Sequence, residues 1–162
     1  MGLLGFYFSP SGRISRGWFW VGLLGLFAFE IVFNLWLATA MFGRDLLDPA
    51  SGNLAKPARQ LSLLINLIFL FPIFVVLAKR FHDRNKGAVW TIPFLLAYSA
   101  LIAAAILGVI PMDFPVDPAA VHPAGLAVAS AWTAVLIWVL IELGVIRGTK
   151  GQNRFGNDPL IK

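Results

Sequence analysis

The chain has 162 residues, 59% hydrophobic and 13% charged, with 13 Lys and Arg against 8 Asp and Glu, and a mean hydropathy of +0.79. Soluble domains run at about half apolar and a quarter charged, so this composition reads as a membrane protein with little chain left for a separate soluble unit. The lack of cysteine excludes disulfides, thiolate metal sites and iron–sulfur clusters. Membrane topology and an anionic inner leaflet account for the net charge of +5 without a nucleic-acid partner.

Residues 1–16 carry an apolar lead (Phe6, Tyr7, Phe8), a turn-prone Ser9-Pro10-Ser11-Gly12, then Arg13 and Arg16. Charges that follow the apolar start reverse the order of a cleavable signal. The lead is expected in the inner interface and the next segment is expected to be a retained anchor. Four apolar blocks follow, at 17–42, 60–78, 88–111 and 124–146. At a rise of 1.5 Å per residue, each is long enough for about 30 Å of hydrocarbon. The predicted fold is an all-α membrane protein, a four-helix transmembrane bundle forming one membrane domain over 1–162.

The first span opens on Trp18-Phe19-Trp20, an aromatic anchor. The second contains Pro72, which removes the hydrogen bond to Ile68 and predicts a kink. Segment 79–87 is so short that spans two and three must form an antiparallel hairpin. Ala97, Ala100, Ala104 and Gly108 in span three, and Ala127, Ala131 and Ala134 in span four, predict small-residue packing faces. Segments 43–59 and 112–123 are rich in turn residues and proline and are expected to be outer loops.

The five segments outside the blocks hold 2, 3, 4, 0 and 4 of the Lys and Arg residues. Four crossings put ten of them on one side and three on the other. Basic loops stay inside, so both termini are expected in the cytoplasm of a bacterial cell, with the chain multi-pass in the inner membrane.

Two carboxylates fall within the spans. Glu30 lies 12 residues from Trp18, about 18 Å along the helix and near the midplane. Asn34 is one turn further on, and Asn66 is expected at the same depth. An intramembrane acid is a functional candidate, here a proton- or cation-handling site. The structural alternative is a protonated glutamic acid bonded to an asparagine and joining two helices. Glu142 lies near the inner boundary and is expected to pair with Lys79 or Arg80.

The inner face gathers Arg13, Arg16, Arg80, His82, Asp83, Arg84, Gly87, Asn153, Arg154, Gly156 and Asp158 from three separate segments. Guanidinium forks and glycine-exposed amides suit phosphate groups, whereas ordinary topology would give a salt-bridged end cap. No nucleophile is spaced near His82-Asp83. His122 falls in an outer loop, so the two histidines cannot share a metal. The tail glycines meet no nucleotide-loop pattern. No catalytic residue, metal or cofactor is expected. The expected partners are membrane lipids, anionic ones included, and a partner protein or a second copy of the chain.

Three strips, GRISRGWFW (12–20), KRFHDRNKGAVW (79–90) and GTKGQNRFGNDP (148–159), resemble the three motifs of the bacterial inner-membrane family known as domain of unknown function 805, the YhaH-like proteins. The likeness covers nearly the whole chain. This chain departs from it at Lys79, at Phe81 and in a longer, proline-richer outer loop. The resemblance implies four spans and an inner-membrane location. It groups Arg13, Arg16, Arg80, His82, Asp83, Gly87, Asn153, Gly156, Asp158 and Pro159 into one constellation, without supplying a mechanism.

The functional reading is recognition of an anionic headgroup, a phosphorylated ligand or a partner protein at the cytoplasmic face. The alternative is a small proton-coupled transporter using Glu30, an acid placed as in small multidrug transporters. Those chains are shorter and near-balanced in charge. Reporter fusions at both termini should register the cytoplasm, and fusions within 43–59 and 112–123 the opposite side; a terminus on the far side refutes the charge argument.

Overall fold

A computed structural model describes residues 2–43, 56–111 and 122–161. Most of both expected outer loops, 44–55 and 112–121, lies outside the described residues. A short helix α1 (Leu3–Phe8) precedes α2 (Arg16–Phe42) and α3 (Lys56–Asp83). A 3-10 turn (Ala88–Thr91) leads into α4 (Ile92–Ile106), and α5 (Pro123–Val139) passes into a π turn (Leu140–Val145). Four helical stretches, Arg16–Phe42, Pro57–Asp83, Ala88–Ile106 and Pro123–Val145, are long and apolar enough to cross a membrane. The chain is an all-α, multi-pass membrane protein.

Local chemistry sets the helix ends. Ser15 caps α2 by accepting from the Trp18 amide at 3.4 Å. His122 Nδ1 accepts from the Ala124 amide at 3.1 Å ahead of α5, whose first residue, Pro123, needs no N–H partner. At the end of α3, Lys86 N–H bonds the Phe81 carbonyl at 2.9 Å while Asn85 takes a left-handed φ of 57°. Asparagine tolerates that conformation, and the closure reverses the chain within four residues.

α3 is the central helix. Half of its most apolar window is buried, against 22%, 22% and 11% in the other spans. Phe69, Ile73, Val76, Leu77 and Phe81 of α3 pack with Phe19, Leu23 and Leu26 of α2, and with Phe94, Val139 and Leu143. α4 and α5 are joined by Trp132, whose ring lies 5.1 Å from Phe94 and 5.0 Å from Tyr98. The small-residue faces therefore need correction. Ala127, Ala131, Ala134 and Ala100 are exposed, while Gly125, Val139 and Ala104 are buried. A broad indole gains more contact than an alanine stripe, and it turns that stripe outward.

Two boundaries also differ from expectation. α3 runs through Pro72 without interruption and continues to Asp83, because Lys79, Arg80 and Asp83 all find partners inside the protein. Span three ends at Ile106 rather than 111, where Gly108 takes a φ of 72°. The apolar lead docks as α1 against the bundle. Phe6 fills the space left by Gly22, where an added Cβ would come within 2.6 Å of its ring. The Lys79 ammonium donates to the Gly5 and Phe6 carbonyls at 2.6 and 2.8 Å. A fully buried lysine thus caps the negative end of a short helix.

Candidate functional site

At the bundle end where the lead, the α3–α4 hairpin and the tail meet, the last span presents five successive carbonyl oxygens. Each receives a side-chain donor. Arg80 Nε bonds Leu143 O at 2.7 Å and Arg80 Nη2 bonds Ile146 O at 2.7 Å. Trp20 Nε1 bonds Gly144 O at 3.3 Å, Arg16 Nη1 bonds Val145 O at 3.0 Å, and Arg84 Nη1 bonds Arg147 O at 2.6 Å. A helix ends with carbonyls that have no partner of their own, and cations complement its dipole there. The π turn widens this last stretch, and Gly144 lets the indole approach: a Cβ there would sit 2.5 Å from Trp20.

Behind these contacts lies a buried charge cluster. Asp83 Oδ1 accepts from Arg13 Nε at 3.1 Å and Nη2 at 2.9 Å, and its Oδ2 pairs with Arg80 Nη1. Arg13 also donates to the carbonyls of Gly151 (2.7 Å), Gly156 (3.0 Å) and Thr149 (2.6 Å). All five guanidinium N–H groups of Arg13 are therefore engaged. The tail is drawn in from its own side as well. Thr149 N and Oγ1 both donate to Asp83 O at 2.8 Å. Gly148 passes so close to the Asp83 carboxylate that a side chain there would overlap it.

The remaining tail contacts surround His82. Its ring stacks on Phe155 with centroids 4.0 Å apart, Nδ1 lies 3.1 Å from the Gly12 carbonyl, and Asn153 Nδ2 donates to His82 O at 2.9 Å. Gly156 takes a φ of 129° and pairs with Asn153 in a tight turn. Arg154 donates to Asn85 O at 3.1 Å and lies over the Phe155 ring. Asp158 accepts from the Leu160 amide at 3.0 Å and the Gly151 amide at 2.9 Å. Those N–H donors hold its carboxyl below the usual aspartate range. The order it brings to the tail is present at neutral pH and is lost as pH falls through that lowered value.

Of the residues singled out from sequence, Gly87 stays apart. It opens the 3-10 turn with φ −71° and space where a Cβ would sit. Glu142 requires a correction. It bonds Lys86 at 2.6 Å and Arg84 at 3.2 Å, not Lys79 or Arg80. The hairpin reversal carries the turn's own cations back to α5, Arg80 is held by Asp83 and two carbonyls, and Lys79 faces α1. Thr149 and Phe155 belong to this end but were not singled out, because their partners are mainly a backbone carbonyl and a ring face that no residue spacing marks.

Beside the cluster lies a pocket of about 260 Å³, lined by Arg16, Arg80, Arg147, Lys150, Asp83 and Asp158 together with the backbone of 148–149. Arg16, Arg147 and Lys150 are exposed. The side chains of Arg147 and Lys150 donate to no acceptor among the described residues, and Arg16 uses a single N–H. Among the described residues no group of three His, Cys, Asp or Glu side chains is placed to hold a metal ion.

Glu30, Asn34 and Asn66 line a separate cavity of about 440 Å³ with Tyr98. The Glu30 carboxyl bonds neither asparagine. Asn34 Nδ2 donates to Glu30 O and Asn66 Nδ2 to Ser62 O, each at 3.0 Å. Each amide takes the carbonyl one turn back in its own helix. The bond between helices here is Tyr98 to Asn66 Oδ1, at 3.3 Å.

The burial of Asp83 sets a measurable contrast. Asp83→Asn leaves two buried guanidinium groups without their counter-charge, a loss of about 3–5 kcal/mol. Arg84→Ala removes a partly solvated pair and should cost about 1 kcal/mol or less. Thermal unfolding in detergent should show a large drop for the first and a small one for the second. Equal effects would contradict the ranking.

The profile of the family described as protein of unknown function (DUF805) matches residues 7–157. The chain is also 29% identical over 153 residues to "Uncharacterized protein YiiR" of Escherichia coli strain K12 and to the protein of the same name in Escherichia coli O157:H7. The match covers 93% of this chain and 86% of each relative. No solved structure matches. Matched from its lead to its clasped tail, the chain belongs to the DUF805 family.

Proposed function

We propose that the protein lies in the bacterial inner membrane with both termini cytoplasmic, and that its basic end receives the phosphate of an anionic lipid headgroup. One observation carries this reading: Arg16, Arg147 and Lys150 line the pocket with free donors, whereas Arg13 has none. The basic end thus divides in two. Arg13, Asp83 and Arg80 build the floor and hold the tail, and the exposed cations beside them meet the ligand. Charge-assisted donors of this kind are the strong ones for phosphate oxygens.

A lipid source is favoured over a partner protein by the apolar flank of the pocket. Trp18, Val145 and Ile146 are exposed next to Arg16 and Arg147, which supports an interfacial depth for those cations. The proposed activity is recognition, with no bond made or broken. Native mass spectrometry of the full chain with phosphatidylglycerol and phosphatidylcholine tests it. The double variant Arg147→Ala, Lys150→Ala should bind phosphatidylglycerol about tenfold more weakly, a loss of roughly 1.4 kcal/mol, with phosphatidylcholine unchanged. Equal retention of phosphatidylglycerol by variant and wild type refutes the reading. Arg80→Ala is a poorer probe, because it also uncaps the last span.

The cavity at Glu30 favours a second reading, proton-coupled transport. A proton relay needs an acid reached from a cavity, and Glu30 lines one. In proteoliposomes carrying a pH gradient, Glu30→Gln should abolish proton-coupled flux; unchanged flux removes this reading.

A further inference from the structure

The groups that line the Glu30 cavity differ in whether they already have partners. Asn34 Nδ2 donates to Glu30 O, Asn66 Nδ2 to Ser62 O, and the Tyr98 hydroxyl to Asn66 Oδ1. The amide and phenol donors are thus directed at the protein itself. The acceptors are not. Asn34 Oδ1 is buried with no hydrogen-bond partner, and the Glu30 carboxyl, on a residue only 6% exposed, has none among the described residues. A buried acceptor without a donor is uncommon in folded proteins, and here Asn34 Oδ1 lines the same cavity as the unpaired Glu30 carboxyl.

A ligand that satisfies the unpartnered acceptors must bring N–H donors. The carboxyl at membrane depth calls for a positive charge in particular. Apart from Ser62 the rest of the lining is apolar, with Phe27, Ile31 and Leu35 outward at the rim, which suits a ligand with an apolar body that enters laterally from the bilayer. The volume of about 440 Å³ is in the range of small-molecule sites. We propose that this cavity binds a lipophilic primary or secondary ammonium, its N–H groups shared between Glu30 and Asn34 Oδ1. The inference deepens the second reading by naming a ligand class. It rests on that cavity and not on transport.

Equilibrium binding of monodansylcadaverine, a primary ammonium on an aromatic body, to the purified full chain in neutral detergent tests the proposal by fluorescence. Wild type should bind it saturably. The N-acetylated probe, which keeps the body and loses the charge, should not saturate. Glu30→Gln should weaken binding about tenfold or more and Asn34→Ala about threefold, in line with losing a charged and a neutral partner, while Arg147→Ala leaves it unchanged. If Glu30→Gln does not fold, Asn34→Ala and the acetylated probe decide. Absence of saturable binding, equal binding by Glu30→Gln, or equal binding of the acetylated probe overturns the inference. Binding without gradient-driven flux overturns transport alone, and proton flux without probe binding overturns the ligand class alone.

Discussion

A membrane helix can satisfy its own backbone along its length but not at its end, and the last span reaches its end among other helices rather than in free water. Three arginines and a tryptophan donate to the five carbonyls from Leu143 to Arg147 there. Arg80 takes two of the five and is itself fully buried, so it requires a counter-charge, which Asp83 supplies. Asp83 in turn is large enough an anion to hold a second guanidinium, Arg13, and through it the tail. The pocket and the shape of the tail follow from closing one helix in low dielectric.

The cluster holds two cations to one anion at its centre, which would be costly if the charges stood alone. The surplus is distributed over oriented carbonyls: three from the tail on Arg13 and two from the end of the last span on Arg80. Backbone dipoles thereby take the part of a second acid. The same arrangement explains why small residues recur along 148–156. Gly148 clears the Asp83 carboxylate, and Gly151 and Gly156, both at positive φ, turn their carbonyls toward Arg13.

Much of this fold was legible in the sequence, because hydrophobic blocks of span length leave few alternatives and short connections force neighbours together. The four spans stand within a few residues of their predicted limits, and the family that the three strips resemble matches residues 7–157. The contacts within the basic end were less legible. Glu142 was paired by proximity along the axis, which ignores that a hairpin returns its own Arg84 and Lys86 to the neighbouring helix. Asn34 was set beside Glu30 by one helical turn and Asn66 by depth, yet an asparagine in a helix finds its own chain first. Alanine spacing predicted faces that an aromatic cluster, Phe94, Tyr98 and Trp132, supersedes. In each case the missing information was direction around an axis, which depth along it does not contain.

The Arg13 clasp has a consequence for biogenesis. Its acceptors belong to residue 83 and to residues 149–156, so an arginine made among the first 13 residues waits for almost the whole chain before its hydrogen bonds exist. The Lys79 ammonium likewise has nothing to cap until a helix made long before it is brought back. Insertion of the spans can therefore proceed one after another, but the Arg13 clasp cannot be complete until residue 156 has left the ribosome. A chain interrupted before that point would carry all four spans and still expose Arg13 and Asp83 without their tail partners, a difference that a quality-control protease acting at the membrane surface could detect.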